Sequence, residues 1–320
     1  MQHIREIVAE EFEAVNQLIV DQLQSDVLLV ENIGHYIVDA GGKRLRPLLV
    51  LLSSACCQYQ GNEQIKLAAV IEFIHTATLL HDDVVDISSL RRGRPTANAT
   101  WGNAPSVLVG DFLYSRAFQL LVAMGNMEIM GNLSNTTNTI AAGEVLQLSR
   151  AGDPDTTEAD YLDIIGRKTA ILFASACKAA GQLADQGQTT CLALEEYGQK
   201  LGLAFQLVDD ALDYEGDPKA MGKNIGDDLT EGKPTLPLIY TLLHGNEDQR
   251  QLVEHAIREK TAENISRVIA AVNDCGALDY THQLAKQYSA DAKAALDTLP
   301  DNRYRSALIE LAELAINRDH

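Results

Sequence analysis

The chain has 320 residues, with 45 acidic against 26 basic side chains and a formal net charge of −19. So anionic a surface repels a phosphate backbone, which excludes general nucleic-acid binding and makes any basic cluster a local feature that needs a reason. The five cysteines, Cys56, Cys57, Cys177, Cys191 and Cys275, are odd in number, sit mostly in apolar contexts and form no CxxC spacing, so they read as buried free thiols of a reducing compartment.

At the start of the chain, Met1 to Glu6 has no signal-peptide character, and the expected location is the cytoplasm. Ile7, Phe12, Val15, Leu18 and Ile19 then predict an amphipathic helix with an acidic outer face. A loop at Gly41-Gly42 leads into Lys43-Arg44-Leu45-Arg46-Pro47, three cations in four residues. Pro47 suits the first turn of a helix, where backbone N–H groups also favour anions. After a loop at Gly61-Asn62, the stretch from Ile65 to Asp86 predicts one long apolar helix of roughly 33 Å. Its most apolar part, Ile65 to Leu80, is interrupted by Lys66, Glu72 and His75, and no 18-residue apolar run is expected to cross a membrane. A basic loop follows at Arg91 to Thr96. Prolines are absent from residues 106–153, 155–217 and 238–299. Asp153 to Glu158 reads as a turn and helix start, and Tyr197, Leu201, Phe205, Val208 and Leu212 recur at helical gaps. Further loops are expected at Asp217 to Lys233 and Leu299 to Asn302. Strand patterns with regular turns are missing, so the expectation is an all-α chain of roughly ten or more helices without sheet, forming a single domain over residues 1–320.

Two aspartate clusters carry the strongest chemical signal: His81-Asp82-Asp83-Val84-Val85-Asp86 and Asp209-Asp210-Ala211-Leu212-Asp213, both DDxxD. On a helix, residues four apart share a face, so Asp82 with Asp86 and Asp209 with Asp213 each present two carboxylates side by side. That repulsion calls for a cation, and hard oxygen donors suit Mg²⁺. Ile71, His75, Thr78, Asp82 and Asp86 fall on one face of the first helix, and Gln206 joins the second cluster. The basic clusters at Lys43 to Arg46 and Arg91-Arg92-Gly93-Arg94, together with the isolated Lys168, Lys223 and Lys233, are the usual partners of diphosphate. Carboxylates, cations and an apolar cleft together imply a diphosphate leaving group on a hydrophobic substrate.

These motifs, in this order and joined by Phe205 to Asp213, Gly222-Lys223-Asn224 and Asp227 to Thr235, resemble the trans-polyprenyl diphosphate synthases. The resemblance spans residues 41 to 237. It implies the isoprenoid synthase fold, an all-α bundle around a central cavity, in a homodimer that condenses isopentenyl diphosphate onto an allylic diphosphate with about three Mg²⁺ ions per site. It assigns metal binding to Asp82, Asp86 and Asp209 and, more weakly, to Asp83, Asp210 and Asp213. The allylic diphosphate falls to Arg91, Lys168, Lys223 and Lys233, and isopentenyl diphosphate to Lys43, Arg46, His75 and Arg92. Thr169 and Gln206 are placed near the developing cation. Product length is implied to depend on the small Ala77 and Thr78 before Asp82, with Leu121 or Leu133 as a deeper floor, and peripheral membrane contact is expected at product release. Three rival readings fit less well. A terpenoid cyclase has no use for Lys43 and Arg46, an HD-type phosphohydrolase leaves two DDxxD motifs unexplained, and a regulatory subunit need not keep both.

Overall fold

Apolar residues at gaps of three and four become helix almost everywhere in the computed structural model, which describes residues 1–215 and 226–317. In chain order the helices are α1 (Gln2–Glu6), α2 (Ala9–Gln22), α3 (Leu28–Asp39), α4 (Leu45–Cys56), α5 (Glu63–Val85), α6 (Ala97–Trp101), α7 (Asn103–Met124), α8 (Met127–Arg150), α9 (Glu158–Ile165), α10 (Ile171–Leu183) and α11 (Gln188–Glu215). The last third adds α12 (Asp227–Thr230), α13 (Leu236–His244), α14 (Glu247–Glu259), α15 (Ile265–Asp274), α16 (Ala277–Ala295) and α17 (Arg303–Ile316). One exception to the expected absence of sheet lies in the Arg91–Thr96 loop. It closes as a minimal antiparallel ladder, Leu90 opposite Pro95 and Arg91 opposite Arg94, because Arg92 and Gly93 at its tip both take positive φ.

Two helices organise the bundle. Helix α5 is apolar on most sides, as a central helix must be, and packs most extensively on α7; α11 packs on α10 and α16. The main core runs through α2, α4, α5, α7, α10 and α17, with Phe73, Phe173 and Tyr197 fully buried. A second apolar cluster joins the end of α11 to α13, α14 and α15, and a third joins α9 to α11 around Tyr161, Leu203 and Leu207. Between α9 and α10 the chain forms a π-helical turn, Gly166–Ala170, a local widening often found at functional sites. Two glycines let neighbouring helices press against it. A Cβ on Gly202 of α11 would sit 2.6 Å from the Ala170 Cα, and one on Gly143 of α8 would sit 2.8 Å from the Arg167 Cβ.

Four of the five thiols, Cys56, Cys57, Cys177 and Cys191, are buried, and Cys275 is half-buried; none is in a disulfide. Burial pushes the Cys57 thiol up to about 12, so it is inert at neutral pH. The expectation that no segment is long and apolar enough to cross a membrane needs correction. By length and composition α7 qualifies, despite Asp111 and Arg116, but here it is a packed helix of the bundle alongside α5.

Candidate active site

The upper ends of α5 and α11 open into one cavity of about 830 Å³. From α5 come Glu72, His75, Thr78, Leu79, Asp82 and Asp86, spaced at gaps of three, three, one, three and four, a single helical face. From α11 come Phe205, Gln206, Asp209 and Asp210. Helix α8 adds Ile140, Glu144 and Gln147, and the π-turn adds Lys168 and Thr169. The loop before α4, the first turn of α4 and the hairpin supply Lys43, Arg44, Arg46, Arg91 and Arg92 at one side, and the loop after α12 supplies Lys233.

The basic side is built on unusual backbone. Gly41, Gly42, Arg44, Arg92 and Gly93 all have positive φ. A Cβ on Gly42 would lie 2.6 Å from the Arg92 guanidinium and would displace it. The diglycine therefore lets one basic loop lie flat on the other. Arg5 donates to the Lys43 carbonyl and Arg44 to Asn16 Oδ1, so the N-terminal helices hold this loop. Arg46 lies 4.4 Å over the Phe173 ring and donates to His75 Nε2 at 3.1 Å. That contact makes Nε2 an acceptor, so His75 is neutral. Burial, with Arg46, Arg92 and Arg91 adding to it, holds the imidazole well below its ordinary value. Burial likewise lowers Arg46 to about 10. Glu72 is the acidic counterweight: burial raises its carboxyl, while Arg44, Arg46 and Arg92 oppose that rise.

At the acidic side, burial pushes Asp82 up to about 6, with Lys168 opposing and Glu144 and Asp86 reinforcing. Lys168 donates to Glu144 at 2.8 Å and to Gln147 at 2.9 Å and lies 3.9 Å from Asp82. Lys233 bridges Asp86 at 2.9 Å and Glu231. Although burial lowers it, Glu231, Asp86 and Asp228 hold its ammonium above the ordinary value. Each lysine thus spans two acidic groups and is half-covered at the wall.

Several expected site residues sit elsewhere than the spacing suggested. Asp83 does not face the cavity: it is fully buried, and one of its oxygens takes a forked ion pair from Arg91, at 2.8 Å from Nε and 2.7 Å from Nη2. Arg91 therefore lines the cavity already tied to α5. Asp213 is also fully buried, accepting from the Asp228 amide at 3.3 Å beneath α12, and it does not line the cavity. Asp210 does line it, yet is 4% exposed and accepts from Tyr161 and Gln206. Ala77 is fully buried in the main core, around the helix from Thr78, and only Thr78 lines the cavity. Leu121 and Leu133 are core residues of α7 and α8 and do not line it either. Lys223 lies outside the described residues. Sequence reasoning missed Glu72, Glu144, Gln147 and Tyr161. The gaps of four and three from Ile140 to Glu144 to Gln147 were the available signal for a polar face on α8.

The donor set fits a divalent cation. Carboxylates at Asp82, Asp86 and Asp209 are hard ligands, and the crowding of Asp82 by Glu144 and Asp86 is a negative excess that a cation relieves. Among the described residues no three His, Cys, Asp or Glu side chains gather closely enough to hold an ion alone. An ion here must therefore take further oxygens from elsewhere, as Mg²⁺ does when it shares one or two carboxylates with substrate phosphates.

The polyprenyl synthetase family model matches residues 27–275. The chain is 48% identical over 320 residues to an octaprenyl diphosphate synthase of Escherichia coli K12, covering 100% of this chain and 99% of that protein. It is also 48% identical over 312 residues to an all-trans-nonaprenyl-diphosphate synthase, geranyl-diphosphate specific, of Rhodobacter capsulatus, covering 97% and 96%. Among solved structures, a polyprenyl synthase from Caulobacter crescentus complexed with calcium and isoprenyl diphosphate superposes with a TM-score of 0.97 at 45% identity, over 100% of this chain and 98% of that one.

Proposed function

The chain belongs to the polyprenyl synthetase family, and we propose that it is a long-chain member making octaprenyl diphosphate for a quinone side chain. It is a prenyltransferase that adds isopentenyl diphosphate to an allylic diphosphate. The observation that carries this reading is a cavity with two carboxylate helices at one side, two basic loops at the other, and Leu79, Ile140, Leu172 and Phe205 in the wall between.

Asp82, Asp86 and Asp209 would hold divalent cations, three Mg²⁺ per site, whose charge stabilises a departing diphosphate. Lys168, Arg91 and Lys233 bind the allylic diphosphate, on the side where Lys168 and Lys233 already neutralise the carboxylates, and Lys223 is assigned to the same group by its motif alone. Lys43, Arg46, His75 and Arg92 bind isopentenyl diphosphate; a neutral His75 donating through Nδ1 adds a hydrogen bond without another charge. Cleavage of the allylic C1–O bond leaves a cation beside Thr169 and Gln206, within a wall of Leu79, Ile140, Leu172 and Phe205 that keeps water away. The double bond of isopentenyl diphosphate attacks C1, and the resulting cation loses a proton to the released diphosphate. The new allylic diphosphate is five carbons longer and reacts again.

A homodimer is supported by the exposed apolar residues of α7 and α8, Leu108, Val122, Met127, Val145 and Leu148, which a second copy would cover. We place the enzyme in the cytoplasm, with peripheral membrane contact only when the apolar product leaves.

The direct test is mass analysis of the product formed from farnesyl diphosphate, excess isopentenyl diphosphate and Mg²⁺. Octaprenyl diphosphate is the expected end product; a chain that stops at geranylgeranyl diphosphate, or no turnover, rejects the reading. The two substrate sites separate by kinetics. Arg92→Ala and Lys43→Ala raise the KM for isopentenyl diphosphate more than that for the allylic primer, by the equivalent of about 1.5–3 kcal/mol per lost charge-assisted contact. A larger rise in the allylic KM reverses the assignment of the two sites.

A further inference from the structure

Asp210 has its two oxygens occupied in a way that points past metal binding. The Tyr161 hydroxyl donates to Oδ2 at 2.6 Å, and the Gln206 amide N–H donates to Oδ1 at 2.7 Å. The Thr169 hydroxyl in turn donates to Gln206 Oε1 at 3.0 Å. Tyr161 and Asp210 are 3% and 4% exposed, Gln206 and Thr169 are half-buried, and all four border the cavity. The four side chains form one unbranched chain of hydrogen bonds along the cavity wall, from Tyr161 on α9 to Thr169 of the π-turn.

Its direction follows from chemistry. As placed, the Gln206 amide turns its N–H₂ towards Asp210 and its oxygen towards Thr169, whose hydroxyl donates to it. A flip would set the amide oxygen against the carboxylate and its N–H₂, the positive end of the dipole, at the cavity side. Thr169 gives its proton to that same oxygen, which leaves its own lone pairs for the cavity. Two negative dipole ends therefore stand where an allylic cation develops, fixed before the reaction begins. Gln206 alone cannot hold this orientation, because the carboxylate of Asp210 could rotate. Tyr161 prevents the rotation by holding the far oxygen from a site packed among Ile165, Leu203 and Leu207.

We propose that Tyr161 is a positioning residue for prenyl transfer, acting through Asp210 to present the Gln206 amide oxygen and the Thr169 hydroxyl oxygen to the allylic cation. The inference rests on the proposed reaction and deepens it. Asp210 then serves as the anchor of a dipole, and Asp209 beside it is the member of that motif left to the metal.

The test is a double-mutant cycle on single-turnover condensation, with Tyr161→Phe, Gln206→Leu and the pair. Tyr161→Phe keeps the ring and removes one hydroxyl. It should lower kcat between about tenfold and a hundredfold, leaving both substrate KM values and the Mg²⁺ concentration for half-activation unchanged. In the Gln206→Leu background the same change should cost nothing more. Asp210→Asn, whose amide lets Gln206 turn over, should reproduce the loss and serves if Tyr161→Phe fails to fold, as judged by thermal melting. The proposal is overturned if the two losses multiply, if high Mg²⁺ restores Tyr161→Phe, or if that variant matches the wild type. Absence of prenyl transfer in the wild type would instead reject the proposed function.

Discussion

Asp82→Ala and Asp209→Ala each lower the rate of condensation by about three orders of magnitude or more, while melting temperature and helical circular dichroism stay near those of the wild type. The large loss is expected because each change removes a hard ligand facing the leaving group, where charge develops in the transition state. The retained fold is expected from the local electrostatics. Burial beside Glu144 and Asp86 already pushes Asp82 up to about 6, so its removal relieves repulsion. Lys168 keeps Glu144 and Gln147 as partners and is not stranded. The neighbouring residue behaves differently: Asp83→Ala leaves the Arg91 fork without its buried partner, so its melting temperature falls along with its activity. Near-wild-type turnover in either Asp82→Ala or Asp209→Ala rejects the metal assignment, and a loss that tracks unfolding makes these residues structural.

The contrast between Asp82 and Asp83 shows how far the sequence could be read. Helical spacing placed His75, Thr78, Asp82 and Asp86 on one face, and that face is the cavity wall. The same spacing could not say what became of the aspartates between. Neighbours on a helix point about 100° apart, so Asp83 turns into the packing, and its partner comes from a two-residue ladder with no sequence signature of its own. Lys168 stands alone in the sequence and is assigned to diphosphate only by the company of the other motifs. What makes it part of the site is the π-turn, and that depends on Gly143 and Gly202, which read only as small residues within helices. The diglycine at 41–42 was legible as a loop, but the reason for Gly42, the Arg92 guanidinium lying against its backbone, joins segments fifty residues apart. Tyr161 gave no signal, because a tyrosine among apolar residues of a short helix is ordinary core until Asp210 is seen beside its hydroxyl.

The same angular argument yields an expectation for product length. Thr78→Phe should make a folded enzyme that releases shorter products, while the first condensation onto a short primer keeps its rate. Thr78 lies one turn below Asp82, about 6 Å along the helix, on the face that lines the cavity with His75 and Leu79. A ring there stands in the path of a chain descending from the carboxylates, yet clear of the reacting C1. The hydroxyl it replaces only donates to the His75 carbonyl at 2.8 Å, a bond inside its own helix, so little stability is lost. Ala77 is fully buried among core side chains, so Ala77→Tyr forces a large ring into packed surroundings. Overpacking of that kind costs about 1–3 kcal/mol or more, and a lowered melting temperature should precede any change in product. Mass analysis of products and melting curves, measured on both variants, separates the two positions. If Ala77→Tyr melts like the wild type and shortens the product while Thr78→Phe makes the full length, the growing chain runs along the other side of α5.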